Sequence, residues 1–137
     1  MLVAKLDGNR KISLVEVENP KSNGTEVIIK VNKVGICGSD LHMWDAGDEF
    51  KGLIMGHEYA GVVVEPGALK GTLSAGDRVT SIPLSPCMEC EYCKNGQHNI
   101  CPANSESPGV HTPGTYAEFF AARPDMVRTL PDSISDV

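Results

Sequence analysis

Four of the chain's five cysteines lie between Cys87 and Cys101, spaced Cys87-Met-Glu-Cys90-Glu-Tyr-Cys93 and then, after seven residues, Cys101. No other feature restricts the fold so tightly, because thiols this dense either share a metal ion or pair as disulfides. Disulfide frameworks belong to small secreted chains. The opening residues alternate apolar positions with Lys5 and Asp7, where a secretory leader would be continuously apolar. A metal is the better reading. Two-residue spacers let successive cysteines turn onto one ion, and four thiolates close a tetrahedral zinc site. The rival is the bacterial iron–sulfur run C-x2-C-x2-C-x3-C-P. Cys101 is followed by Pro102, but the last spacer holds seven residues, and no second cysteine run exists for a partner cluster. A closed four-thiolate site has no open coordination position. The lobe, from about Pro86 to Pro113, therefore reads as a staple and not as a reaction centre.

Around the lobe, short β-forming runs alternate with Gly and Pro turns. Strands are expected at Val3 to Leu6, Ile12 to Val17, Val27 to Val34, Tyr59 to Glu65, Asp77 to Ile82, Tyr116 to Ala122 and Met126 to Leu130. Val27 to Val34 is the longest apolar run and reads as a buried strand. Ser39 is placed to cap a short helix through about Asp45, and Asp132 or Ser133 to cap a helix at the chain's end. The fold class is mainly β, a barrel or sandwich with little helix, and 137 residues suffice for one domain with its own core. The net charge of −6 and the lack of any Lys/Arg run argue against nucleic acid or an anionic membrane as the main partner. No apolar run reaches the length of a membrane span. With reduced cysteines, the expected location is the cytoplasm. No Gly-x-Gly-x-x-Gly occurs, so no dinucleotide-binding unit is expected within the chain.

The fifth cysteine keeps different company. Cys37-Gly-Ser39-Asp40-Leu-His42 and Gly56-His57-Glu58 supply a thiol, two imidazoles and two carboxylates. A catalytic zinc needs an incomplete set of protein ligands, so that water or substrate takes the open position. Cys37 and His57 offer sulfur and nitrogen, and Asp40 is placed to accept the second ring N–H of His57. Residue types alone leave the bland alternative open, since a lone Cys beside glycine is also a small core residue.

Taken together, Gly35-Ile-Cys37-Gly-Ser39-Asp40-Leu-His42, Gly56-His57-Glu58-Tyr-Ala-Gly61, Gly76-Asp77-Arg78-Val79, the cysteine lobe and Gly114-Thr-Tyr116-Ala-Glu118 resemble the N-terminal catalytic domain of the zinc-dependent medium-chain dehydrogenases. This is the alcohol, polyol and threonine dehydrogenase family. Order and spacing agree, and the resemblance covers the chain from Met1 to Val137. It implies a GroES-like β-barrel with an inserted lobe, and a structural zinc on Cys87, Cys90, Cys93 and Cys101. It also implies a catalytic zinc on Cys37 and His57, with Glu58 beside it. Ser39 becomes the proton-relay hydroxyl, His42 the next member of the relay, and Trp44 a wall of the substrate pocket. The implied reaction oxidises a secondary alcohol or polyol to a ketone with NAD or NADP, in a protein that is homo-oligomeric at full length.

The departures are Lys70, where the family carries a small or aliphatic residue, and Gly38, which replaces a basic residue of many alcohol-oxidising relatives. Gly38 points towards the polyol, butanediol and threonine dehydrogenases. Family chains run to more than twice this length. The nucleotide-binding domain and the third zinc ligand, usually a Cys, Asp or Glu, are therefore expected beyond Val137, and the chain alone is expected to be inactive. The reading from another class is a zinc-stapled β-barrel acting as a binding or scaffold module. Ser39, Asp40 and His42 arranged around Cys37 discriminate, since a scaffold needs none of them.

Overall fold

The computed structural model describes residues 1–103 and 106–137, so residues 104 and 105 of the expected lobe lie outside the described residues. Two antiparallel sheets carry the architecture. β1 (Leu2–Gly8) and β2 (Lys11–Glu16) form a hairpin in which Val3 faces Val15 and Lys5 faces Ser13. Gly8, Asn9 and Arg10 turn it with positive φ, the backbone that matches the twist of the flanking strands. The larger sheet has the order β6-β3-β4-β5-β7. Its strands are β3 (Val27–Val34), β4 (Tyr59–Glu65), β5 (Arg78–Ser81), β6 (Phe119–Ala122) and β7 (Val127–Thr129). The residues entering β6 join the sheets. Ala4 N–H donates to Tyr116 O at 2.8 Å and Glu118 N–H to Leu2 O at 3.1 Å, while Val31 N–H donates to Glu118 O at 2.9 Å on the other side.

Inward-facing β-branched and aromatic residues fill the main core: Val27, Ile29, Val63, Val79, Phe120 and Val127, with Tyr59 edge-on to Phe120 at 5.6 Å between ring centroids. Burial pushes the Tyr59 hydroxyl up to about 12, against the opposing hydrogen bond of Ser81 at 2.6 Å. A second apolar cluster, Leu6, Met43 and Met55, packs the helix α1 (Gly38–Asp45) against β1 and the segment leading to His57.

All seven expected strands are present; β1 runs longer than expected, β2 starts one residue earlier, and the last strands are shorter. Three expectations fail. The helix α1 (Gly38–Asp45) is capped by Cys37, so Ser39 lies inside its first turn and does not cap it. β3 is buried only through Val27, Ile28 and Ile29; from Lys30 onward it runs mostly exposed. Its pairing with β4 slips between Val31 and Lys33, a bulge that turns the strand outward just before Gly35-Ile36-Cys37. No helix starts at Asp132 or Ser133. A turn forms there, because Ile134 N–H closes onto Pro131 O at 3.0 Å and the Arg78 guanidinium takes both Ile134 O and Asp136.

Candidate metal centres

In the lobe, two-residue spacers become two tight turns. Cys90 caps the short helix α2 (Glu91–Lys94), and its sulfur accepts the Cys93 N–H at 3.5 Å. Cys90 N–H points at Cys87 Sγ at 3.3 Å, and Cys87 N–H at Cys101 Sγ at 3.4 Å. All four ligand atoms fall within 4.8 Å of one another, with Cys87 and Cys93 sulfurs 3.9 Å apart and Cys90 and Cys101 sulfurs 4.0 Å apart. A zinc–sulfur bond of roughly 2.3 Å in a tetrahedron requires sulfur separations of about 3.8 Å. A disulfide requires about 2.05 Å. The spacing fits a shared ion, and every cysteine is a free thiol. Backbone N–H groups of Glu89 and Cys90 pull the Cys87 thiol down to about 6, while burial pushes Cys93 up to about 12. The root of the lobe is tied to the barrel by Arg123, which donates to Ser85 Oγ, to Pro86 O at 3.2 Å and to Asp125 at 2.7 Å.

The other group is assembled from two distant segments. Gly35 N–H donates to Glu58 O at 2.7 Å, extending the β3–β4 ladder past its Val34–Tyr59 pair, and this sets Cys37 beside His57 and Glu58. Their ligand atoms lie within 4.8 Å of one another. Neighbours on an extended strand would point to opposite faces. His57 and Glu58 converge because Gly56-His57-Glu58 is irregular backbone, with Gly56 at φ +90°. A Cβ on Gly56 would collide with the Tyr116 ring and stand 2.9 Å from Thr115 Oγ1. The backbones of Gly109 and Gly114 press equally close on Gly56 O, so three glycines interlock under His57. Hydrogen bonds from Gly114, Thr115 and Tyr116 N–H to Ile54, Gly56 and Met55 O, at 2.7–2.9 Å, hold that joint.

Cys37 and His57 are half-buried, and Glu58 is exposed. A thiol, an imidazole and one carboxylate within that span fit a divalent ion with a position left for an outside oxygen. Ser39 Oγ stands 3.5 Å from His57 Nε2. His42 lies one turn further along α1, exposed to solvent.

Asp40 takes a different role from the expected one. Its carboxylate, buried to 2% exposure, accepts Cys37 N–H at 2.9 Å, Gly56 N–H at 3.4 Å and the Tyr116 hydroxyl at 3.0 Å. His57 Nδ1 remains without a partner. Three donors engage both carboxylate oxygens, and they lash together the two segments that carry Cys37 and His57. Tyr116 was legible only as part of a motif. Its hydroxyl is pushed well above the ordinary range by burial and by the bond to Asp40. Trp44 packs against the Leu6–Met43–Met55 cluster, with the Arg10 guanidinium 5.8 Å above its ring.

Comparison with known proteins places this geometry. Residues 23–132 match the alcohol dehydrogenase GroES-like domain. Sorbitol dehydrogenase of Bombyx mori is 35% identical over 137 residues, covering 96% of this chain and 39% of that protein. D-arabitol-phosphate dehydrogenase of Enterococcus avium is 37% identical, covering 93% and 37%. The crystal structure of galactitol-1-phosphate dehydrogenase from Escherichia coli superposes with a TM-score of 0.89 at 28% identity, covering 99% of this chain and 40% of that one. The chain thus spans about two fifths of the length of the relatives it matches. Among the described residues no helix is long and apolar enough to cross a membrane. With four thiols brought together, a separate Cys–His–Glu group and a family match across most of its length, the chain belongs to the GroES-like domain family of the zinc-dependent alcohol dehydrogenases.

Proposed function

We propose that residues 1–137 form the catalytic domain of a zinc-dependent, NAD(P)-linked dehydrogenase that oxidises a secondary alcohol or polyol to a ketone, in a protein that is homo-oligomeric at full length. The observation that carries this reading is the contrast in donor sets: a lobe of four thiols and, apart from it, a Cys37–His57–Glu58 group of only three donors. Zinc held by Cys37, His57 and Glu58 would act as a Lewis acid, lowering the pKa of a substrate hydroxyl. The chain's own residues do the rest. Asp40, fixed by Tyr116, holds the backbone of Cys37 and Gly56 so that thiol and imidazole stay convergent. Ser39 Oγ, 3.5 Å from His57 Nε2, is the nearest hydroxyl to accept the substrate proton. His42, exposed on the same helix, releases that proton to solvent. Trp44, braced from behind by Met43 and Met55, forms a wall of the substrate pocket. A nicotinamide, bound by residues outside this segment, would supply the hydride acceptor.

The test is oxidation of a panel of sorbitol-, xylitol- and butanediol-type alcohols by the full-length protein, with NAD and NADP and with metal content measured on the same sample. Ketone formation tracking zinc at Cys37–His57 is expected. Zinc-loaded protein inert towards every secondary alcohol with either cofactor would overturn the reading.

A further inference from the structure

Among the described residues, two buried side-chain polar atoms have no hydrogen-bond partner: His57 Nδ1 and Thr115 Oγ1. They belong to residues lining one small pocket, together with Tyr59, Ser81, Ile82, Pro83, Pro108, Phe120 and Met126, of which only Tyr59 and Ser81 enter the argument. Thr115 is 1% exposed, and its N–H is spent on Gly56 O at 2.9 Å, so its hydroxyl sits directly behind the backbone that carries His57.

The volume open to the centre of a water molecule in this cavity is about 10 Å³. One water needs roughly 10–15 Å³ of such space and two to four polar partners. The size therefore admits a single water and nothing larger. The partners are present. A neutral imidazole that ligates through Nε2 must carry its proton on Nδ1, so Nδ1–H is a buried donor without a protein partner. Thr115 Oγ1 is free to accept, and the Tyr59–Ser81 hydroxyl pair, 2.6 Å apart, has lone pairs to spare. A ligating histidine almost always donates its second ring N–H to a fixed acceptor, which sets tautomer and ring angle. Asp40, the acceptor expected from sequence, is occupied elsewhere.

We propose that this cavity is a binding site for one water molecule that bridges His57 Nδ1–H to Thr115 Oγ1, making Thr115 a positioning residue for the imidazole at the Cys37–His57 site. The proposal rests on the reading of His57 as a metal ligand.

The experiment is cobalt(II) titration of the Cys37–His57 site, with zinc kept in the lobe, for the wild-type protein, Thr115→Val and Thr115→Ser, paired with a high-resolution crystal structure of each. Valine preserves shape and removes the acceptor. It is expected to weaken cobalt binding about 10–100-fold, the usual cost of losing a partner behind a ligand, while Thr115→Ser stays within a few-fold of wild type. The wild-type crystal should show one water within hydrogen-bond distance of both atoms, and the valine variant none. A far-UV circular dichroism spectrum and a thermal transition of Thr115→Val that match wild type check that the barrel has folded. A dry cavity, a direct protein partner on Nδ1, or a folded valine variant that binds cobalt like wild type overturns the inference alone. A wild-type protein that takes up no second ion overturns the metal reading of His57, and the inference with it.

Discussion

The lobe and the Cys37–His57–Glu58 group hold metal-fitting donors in opposite ways. The lobe draws all four thiols from fifteen consecutive residues, and its own turns aim them. The other group draws its donors from segments twenty residues apart, and the aim comes from sheet register, a buried carboxylate that ties both segments and packed glycines. A local site can be closed and self-sufficient. A site assembled by the fold can leave a face open, because its shape is guaranteed by structure behind it and not by the ion. On the proposed reading, staple and reaction centre thus part company in where their order comes from.

That contrast is most directly broken at the lobe. Cys93→Ser leaves three thiols for an ion whose binding contributes roughly 10–16 kcal/mol in small zinc domains. Loss of lobe zinc and new protease cleavage between Pro86 and Pro113 are expected, with the β3–β4 ladder intact. A proteolysis pattern identical to the native one, with zinc lost, would mean that the lobe does not depend on its metal. At the open group, Ser39→Ala is expected to lower turnover of the full-length protein about 10²–10⁴-fold while leaving its zinc content unchanged. His42→Ala should cost less, because water can replace an exposed relay group. If Ser39→Ala instead strips the metal, the hydroxyl holds the site and carries no proton.

Tyr116→Phe sharpens the comparison at smaller scale. It removes one of three donors to Asp40 and keeps the ring over Gly56, so the loss should be about 1.5–3 kcal/mol, as for hydrogen bonds to charged groups. Faster metal exchange at Cys37–His57, with the lobe unaffected, is the expected readout; equal change at both sites would show that their order is not separate. The smallest effect concerns acid. Hydrogen bonds from Arg78, then Asn32, hold the Asp136 carboxyl below its ordinary value of 3.8. A depressed carboxyl stabilises the fold above that value, and the contribution is lost as pH falls through the folded pKa. Amide exchange at 131–136 should therefore quicken below about pH 4, and Asp136→Asn should abolish that pH step.

The extent to which sequence foretold all this follows the same division. β3 and β4 are legible to the residue, because β-branched runs bounded by Gly and Pro have few other options. The lobe is legible because its chemistry is local. Cys37 and His57 gain meaning only when a long-range ladder brings them together, which is why residue types alone left them ambiguous and a family resemblance was needed. Asp40 shows the limit. A carboxylate near a histidine invites pairing, but two backbone N–H groups and the Tyr116 hydroxyl take it first, and neither donor set is visible in one dimension. The missing helix at Asp132 fails for a like reason, since Arg78 captures the carbonyl of Ile134.

The three interlocked glycines bear on how this protein fails under mutation. Gly109 and Gly114 touch Gly56 through backbone alone, so no neighbouring side chain can shrink to make room for a newcomer. Even alanine at either position would shift the peptide that carries His57. On the proposed reading of His57 as a zinc ligand, such lesions would present as metal deficiency although they lie more than fifty residues from it, and supplying more zinc would not cure them.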